Sequence, residues 1–223
     1  MNQEQALSLL KETKLVAILR GIPVKQATDI ATALYDGGVR VLEFTFDHDD
    51  PDCVAHNCQR IRAVKKIFGD EMVVGCGTAL TVQEVEASVE VGGQIVISPN
   101  VDVSVIAKTK ALGAISMPGA LTPTEIVMAY NAGADIVKLF PAGTLGVPYI
   151  KAVRGPLGYI PMSAVGGVRP ETIADFLNVG VCGFGVGGEL VKKEFVRSGD
   201  MNALTSRARK FVHAIEQWEA NRS

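Results

Sequence analysis

Eight times along this chain a short run of β-branched and aliphatic residues gives way to a longer stretch with apolar residues at helical spacing, and few folds accept that beat. The predicted strands are Leu15 to Leu19, Val41 to Phe46, Met72 to Cys76, Gln94 to Ser98, Ala114 to Met117, Asp135 to Phe140, Ile160 to Ala164 and Gly183 to Val186. Between them, Lys25 to Tyr35, Val54 to Phe68, Val82 to Val91, Val103 to Ala111, Thr124 to Asn131 and Glu171 to Val179 are amphipathic and predicted helical. Thr81-Val-Gln-Glu and Thr122-Pro-Thr-Glu match the capping box, the latter with proline at the first helical position. Gly37-Gly38, Gly92-Gly93, Gly113, Gly133 and Gly180 stand where a helix ends in a left-handed residue. With no linker or low-complexity tract in 223 residues, the units point to a single (β/α)8 TIM barrel over 1–223. A doubly wound sheet is the alternative, but it gathers polar strand ends at one switch point, whereas here they recur along the whole chain. Gln3 to Glu12 and Met201 to Trp218 are predicted as extra N- and C-terminal helices that close the barrel ends, the second with Leu204, Ala208, Phe211 and Ile215 on one stripe.

Charge and composition exclude several functions. A net charge of −2 with no basic run offers nucleic acid no electrostatic footprint. The N-terminus has no basic segment followed by an apolar one, and no apolar stretch approaches a membrane span, so a soluble cytoplasmic protein is expected. Cys53, Cys58, Cys76 and Cys182 lack metal-ligand spacing and read as reduced structural thiols. His48 and His56 lie among Asp47, Asp49, Asp50 and Asp52, which reads as a hydrated turn before Pro51; no metal is expected.

The chemistry sits at strand ends. Ala134-Asp-Ile-Val-Lys-Leu-Phe-Pro141 places Lys138 in phase with Ile136 and Phe140 in a strand that otherwise reads as buried. Desolvation there lowers an amine's pKa and raises its free-base fraction, as a Schiff-base nucleophile requires, although a snorkelling lysine at a strand end has the same sequence. In the second strand Leu42, Phe44 and Phe46 suit packing on helices, which turns Glu43 and Thr45 inward. An inward glutamate is costly without a partner or a task. Arg20 follows Val16 and Ile18 in phase, Gly75-Cys-Gly-Thr78 offers a hydroxyl and close backbone approach, and Ser98-Pro99-Asn100 ends the fourth strand. Strands seven and eight end in Gly166-Gly167 and Gly187-Gly188, where barrels often hold a phosphate on backbone amides. Taken singly, Glu43 and Lys138 read equally as a buried ion pair, Arg20 as a rim charge and the glycines as turns; together they describe carbonyl chemistry through an imine.

At these residues the chain resembles the class I aldolases that act on 2-keto-3-deoxy-6-phosphogluconate and 4-hydroxy-2-oxoglutarate, the KDPG/KHG family. The matching segments are Val16-Ala-Ile-Leu-Arg20, Gly37-Gly-Val-Arg-Val-Leu-Glu43, Gly75-Cys-Gly-Thr78, Ser98-Pro-Asn100, Pro118-Gly119, Lys138-Leu-Phe-Pro141 and Gly166-Gly-Val168, in order over nearly the whole chain. The resemblance implies a trimeric, cofactor-free barrel lyase that releases pyruvate and an aldehyde. It implies Lys138 as the imine-forming lysine and Glu43 as the acid/base, with Thr78 and Pro99 at the pyruvate end, Phe140 beside the imine and Arg20 facing a substrate anion.

Two departures concern anions. Well-known members carry an arginine for the pyruvyl carboxylate where this chain has Asp47, and a phosphate-binding serine where it has Gly188, followed by Glu189. The amides of Gly166, Gly167, Gly187 and Gly188 remain as a phosphate nest. Ala164-Val165-Gly166-Gly167 is similar to members acting on the galactonate epimer. Alternatives are a phosphate-binding barrel isomerase or decarboxylase without an imine, and a silent keto-acid-binding barrel.

Overall fold

A computed structural model of the protein describes residues 1–222. Its strands are β1 (Leu15–Leu19), β2 (Val41–Thr45), β3 (Val73–Gly77), β4 (Ile95–Ile97), β5 (Ile115–Met117), β6 (Gly119–Ala120), β7 (Val137–Leu139), β8 (Met162–Val165) and β9 (Gly183–Val186). All pair in parallel, in the order β5-β4-β3-β2-β1-β9-β8-β7-β6. The two outermost are halves of one stave interrupted at Pro118, whose carbonyl accepts from Lys138 N at 2.9 Å while Ser116 O accepts from Asp135 N at 3.0 Å. The sheet therefore closes as an eight-staved TIM-type barrel, and the ninth strand is a proline break in the fifth, because proline leaves no ladder donor. The strand expected over Asp135 to Phe140 is shorter, and Phe140 lies in the turn beyond it.

The helices are α1 (Gln3–Thr13), α2 (Ala27–Asp36), α3 (Cys53–Phe68), α4 (Val82–Glu90), α5 (Val103–Ala111), α6 (Pro123–Asn131), α7 (Ala142–Leu157), α8 (Ile173–Asn178), α9 (Lys193–Ser198) and α10 (Met201–Ala220). Both expected capping boxes form, Thr81 with Glu84 and Thr122 with Glu125, the second with Pro123 in its first turn. Sequence periodicity missed α7 and α9. Two prolines and three glycines interrupt α7, which kinks at Gly146 with φ 75°, and α9 is under two turns long.

Two apolar layers hold the barrel. Outward residues such as Leu42, Phe44, Val74, Leu139 and Phe184 pack on the helices. Inward residues Val16, Val41, Val73, Ile95, Ile115 and Ile136 meet Ala6 and Leu10 of α1, which plugs the N-terminal end. The expectation that α10 closes the other end is corrected. Its stripe of Leu204, Ala208, Phe211 and Ile215 joins the outer layer, Thr205 Oγ1 donates to Ala33 O of α2 at 2.9 Å, and Trp218 Nε1 donates to Asn178 Oδ1 of α8 at 2.8 Å. It lies on the flank between those helices as the ring's last member, and the C-terminal mouth stays open.

Candidate active site

The period of two that places Val41 and Ile136 in the apolar interior places Glu43 and Lys138 on the same face one step nearer the mouth. Lys138 is 8% and Glu43 1% exposed. Burial lowers the Lys138 amine below the ordinary lysine range; the Glu43 charge opposes that shift and Arg20 reinforces it. Burial likewise pushes the Glu43 carboxyl up to about 7, against the pull of Lys138 and then Arg20. Glu43 Oε2 has no hydrogen-bond partner within the protein, and no ion pair within 4.0 Å joins Glu43 to Lys138 among the described residues. The simple buried ion pair is thus not what the fold builds. The two groups share one cavity with their pKa values pushed toward each other, which prepares an amine to be neutral and a carboxyl to exchange a proton near neutrality.

Backbone geometry makes room for the carboxylate. A Cβ on Gly77, which pairs with Thr45 across β2 and β3, would collide with the Glu43 carboxyl group, so that group packs against bare backbone. Thr78, the next residue, holds φ 56°, a costly conformation for a β-branched residue. On the other side, Lys138 Nζ lies 5.1 Å from the Phe140 ring centroid. Phe140 is 40% exposed and edges the mouth, and a Cβ at Gly166 would touch its ring at 3.4 Å.

All ten residues expected from the sequence line one cavity of about 520 Å³: Arg20, Glu43, Thr78, Pro99, Lys138, Phe140, Gly166, Gly167, Gly187 and Gly188. Its size suits a small metabolite. Sequence reasoning missed the apolar wall of Ile18, Val165 and Val168, and also Lys193. The signal for Lys193 was the basic pair Lys192-Lys193 soon after the last glycine pair.

The acidic loop is anchored. His48 Nε2 lies 2.7 Å from Glu84 Oε1, the other oxygen of which caps α4 by accepting from Thr81 N at 3.0 Å, and His56 Nδ1 lies 2.7 Å from Asp50 Oδ2. The two histidines hold separate partners, and the described residues contain no group of three or more histidine, cysteine, aspartate or glutamate side chains arranged to hold a metal.

The profile of the KDPG and KHG aldolases matches residues 7–207, most of the barrel. The chain belongs to the KDPG and KHG aldolase family. It therefore falls among enzymes that break carbon–carbon bonds. A probable 2-dehydro-3-deoxy-6-phosphogalactonate aldolase of Rhizobium meliloti (strain 1021) is 37% identical over 182 residues, 81% of this chain and 83% of that one. A solved structure described as native KDPGal superposes with TM-score 0.83 at 32% identity, covering 92% of this chain and 96% of its own. The KDPG aldolase of Legionella pneumophila, solved with pyruvate captured as a covalent carbinolamine, shares the fold with TM-score 0.81 at 21% identity, covering 92% and 96%. No helix among the described residues is long and apolar enough to cross a membrane.

Proposed function

We propose that the protein is an imine-forming, class I aldolase that cleaves a 2-keto-3-deoxy-6-phospho sugar acid to pyruvate and glyceraldehyde 3-phosphate, with the galactonate epimer as its first substrate to assay. The observation that carries the imine is the desolvated Lys138 amine sharing a cavity with a buried Glu43 carboxyl whose Oε2 has no hydrogen-bond partner in the protein and whose pKa burial raises to about 7. Lys138 attacks the substrate ketone to give a carbinolamine, loss of water gives an iminium, and the iminium accepts the electron pair as the C3–C4 bond breaks. Glu43 takes the C4 hydroxyl proton during cleavage and returns a proton to the pyruvate enamine. Water then hydrolyses the product imine and frees Lys138.

The apolar wall of Ile18 and Val165 keeps the amine desolvated, Thr78 and Pro99 flank the pyruvyl end, and Phe140 covers the imine. Arg20 holds a substrate anion in the absence of an arginine at position 47. The galactonate preference is supported by two curated 2-dehydro-3-deoxy-6-phosphogalactonate aldolases, one of them named as probable, 37% and 35% identical to this chain, and by Val165 beside the glycine pair. The trimer implied by the resemblance is checked by sedimentation equilibrium.

Borohydride reduction with pyruvate, followed by intact-mass and peptide analysis, tests the imine. A reduced pyruvate adduct on Lys138 is expected. Its absence, under conditions that trap a known imine enzyme, sinks this reading in favour of a phosphate-binding barrel without covalent chemistry.

A further inference from the structure

One buried carboxylate ties together the loops that follow β2 and β3. Glu84, in the first turn of α4, is 5% exposed. Its Oε2 accepts from Leu80 N at 2.6 Å and from Thr81 N at 3.0 Å, and its Oε1 lies 2.7 Å from His48 Nε2 in the loop after β2. Two residues before His48, Phe46 N donates to Gly77 O at 2.8 Å. These bonds close a ring that runs from Phe46 to His48, through Glu84 to Leu80, and back through Thr78 to Gly77. The ring contains Gly77, whose bare backbone faces the Glu43 carboxyl, and Thr78, which lines the cavity with Lys138 and holds φ 56°. A β-branched residue persists in that conformation only where its surroundings over-determine it. Here the backbone is pinned on both sides of Thr78, by Phe46 before it and after it by Ala79 N, which donates to Ile97 O at 3.2 Å, and by the two amides that Glu84 holds.

A capping box by itself does not build such a joint. Glu125 makes the same box at the start of α6, its Oε2 accepting from Leu121 N at 2.8 Å and from Thr122 N at 2.7 Å, yet its hydrogen bonds lie at the surface and stay within residues 121–125. Glu84 differs in its burial and in its second oxygen, which reaches another loop. Hydrogen bonds to a charged acceptor are about twice as strong as neutral ones, so a buried carboxylate shared by Leu80, Thr81 and His48 holds both loops in one arrangement. We propose that Glu84, cross-linked to His48, is a positioning residue that fixes the Thr78 backbone and so sets how tightly the pyruvyl end of the substrate is held. The inference rests on the aldolase reading above, in which Thr78 flanks that end, and it gives a part in binding to two residues that do not line the cavity.

The test titrates pyruvate under borohydride in wild type, Glu84→Ala, Glu84→Gln, His48→Ala, Thr78→Ala, Glu84→Ala/Thr78→Ala and Glu125→Ala. In Glu84→Ala the pyruvate concentration that gives half the maximal initial rate of trapping should rise about tenfold, within the hundredfold that a displacement of about 1 Å can cost, with KM for the sugar acid rising more than kcat falls. Glu84→Gln keeps an oxygen for both amides and should recover most of the loss. His48→Ala leaves the cap whole and should shift trapping about threefold, as the loss of one hydrogen bond does. Glu125→Ala, which loses the same box without a cross-link, should shift nothing. Glu84→Ala should add little to Thr78→Ala, because both act through one contact. Hydrogen exchange reads the joint without substrate, and the Leu80 and Thr81 amides should exchange about tenfold faster in Glu84→Ala and not in Glu125→Ala. An unshifted trapping curve in Glu84→Ala or His48→Ala, an equal loss in Glu125→Ala, or full additivity with Thr78→Ala would overturn the proposal; if Glu84→Ala does not fold, His48→Ala decides alone. Absence of any adduct in wild type strikes the imine reading, and the exchange rates then decide the joint by themselves.

Discussion

The two ends of the barrel interior are built from the same inward faces of the same strands and do opposite things. At the N-terminal end Val16, Val41 and Ile136 meet Leu10 and Ala6 of α1 in a dry apolar layer. One or two inward steps along those staves stand Arg20, Glu43 and Lys138. The contrast shows that burying Glu43 and Lys138 above a sealed apolar layer costs desolvation energy, which the packing of that layer offsets. Burial of apolar area stabilises the barrel by about 25 cal/mol per Å², and the same dry layer is what shifts the two pKa values. Stability and reactivity are thus neighbouring parts of one desolvated column, separated by an alternation of two residues.

Substitutions at each end break that comparison in different ways. The largest effect is expected from Lys138→Met, which should abolish both cleavage and borohydride-trapped pyruvate while the circular dichroism spectrum is retained; surviving turnover would end the imine mechanism. Glu43→Gln should slow cleavage by about 10²- to 10⁴-fold, the usual worth of a positioned acid/base, yet still trap pyruvate. If it traps none, Glu43 belongs to adduct formation and not only to proton transfer.

At the sealed end, Leu10→Ala should cost about 2–5 kcal/mol in urea unfolding with kcat nearly intact. A large fall in kcat would mean that the two ends are less separable than the layering implies.

Acidity links them. Glu43 titrates at about 7 in the folded protein against an ordinary value of 4.5. The native state therefore holds an extra proton between those values, and stability falls as pH rises from about 4.5 to 7, by roughly 3 kcal/mol in total. Cleavage should run the other way, kcat/KM rising through pH 7 as the carboxylate forms. Urea titrations of wild type and Glu43→Gln across this range check the first, since the variant should lack that slope, and a pH–rate profile checks the second. The smallest effect is expected from Gly77→Ala, where the new methyl must displace the Glu43 carboxyl; a shift of about 1 Å costs up to 10²-fold in rate. Unchanged kcat would show that the observed carboxylate position is not the working one.

The order of strands and helices, the capping boxes at Thr81 and Thr122 and the inward phase of Glu43, Lys138 and Arg20 follow from sequence, because side-chain period and local turn chemistry are properties of a few adjacent residues. The α7 helix was hidden because Pro148, Pro156 and Gly146 read locally as breakers, and packing against the barrel overrides that preference. The flank position of α10 was equally hidden, since a stripe of Leu204, Ala208 and Phe211 specifies a buried face and not which surface buries it. Glycine motifs announced close backbone approach at Gly77 without showing that the approaching group is the Glu43 carboxyl. Lys193 is the strongest case. In sequence it is one lysine of a basic pair; only closure of the barrel brings it into one wall with Arg20, across the gap between the first stave and the last helices. Local periodicity determined which face each residue takes, and tertiary closure decided which distant faces meet, because charge and shape act through space and not along the chain.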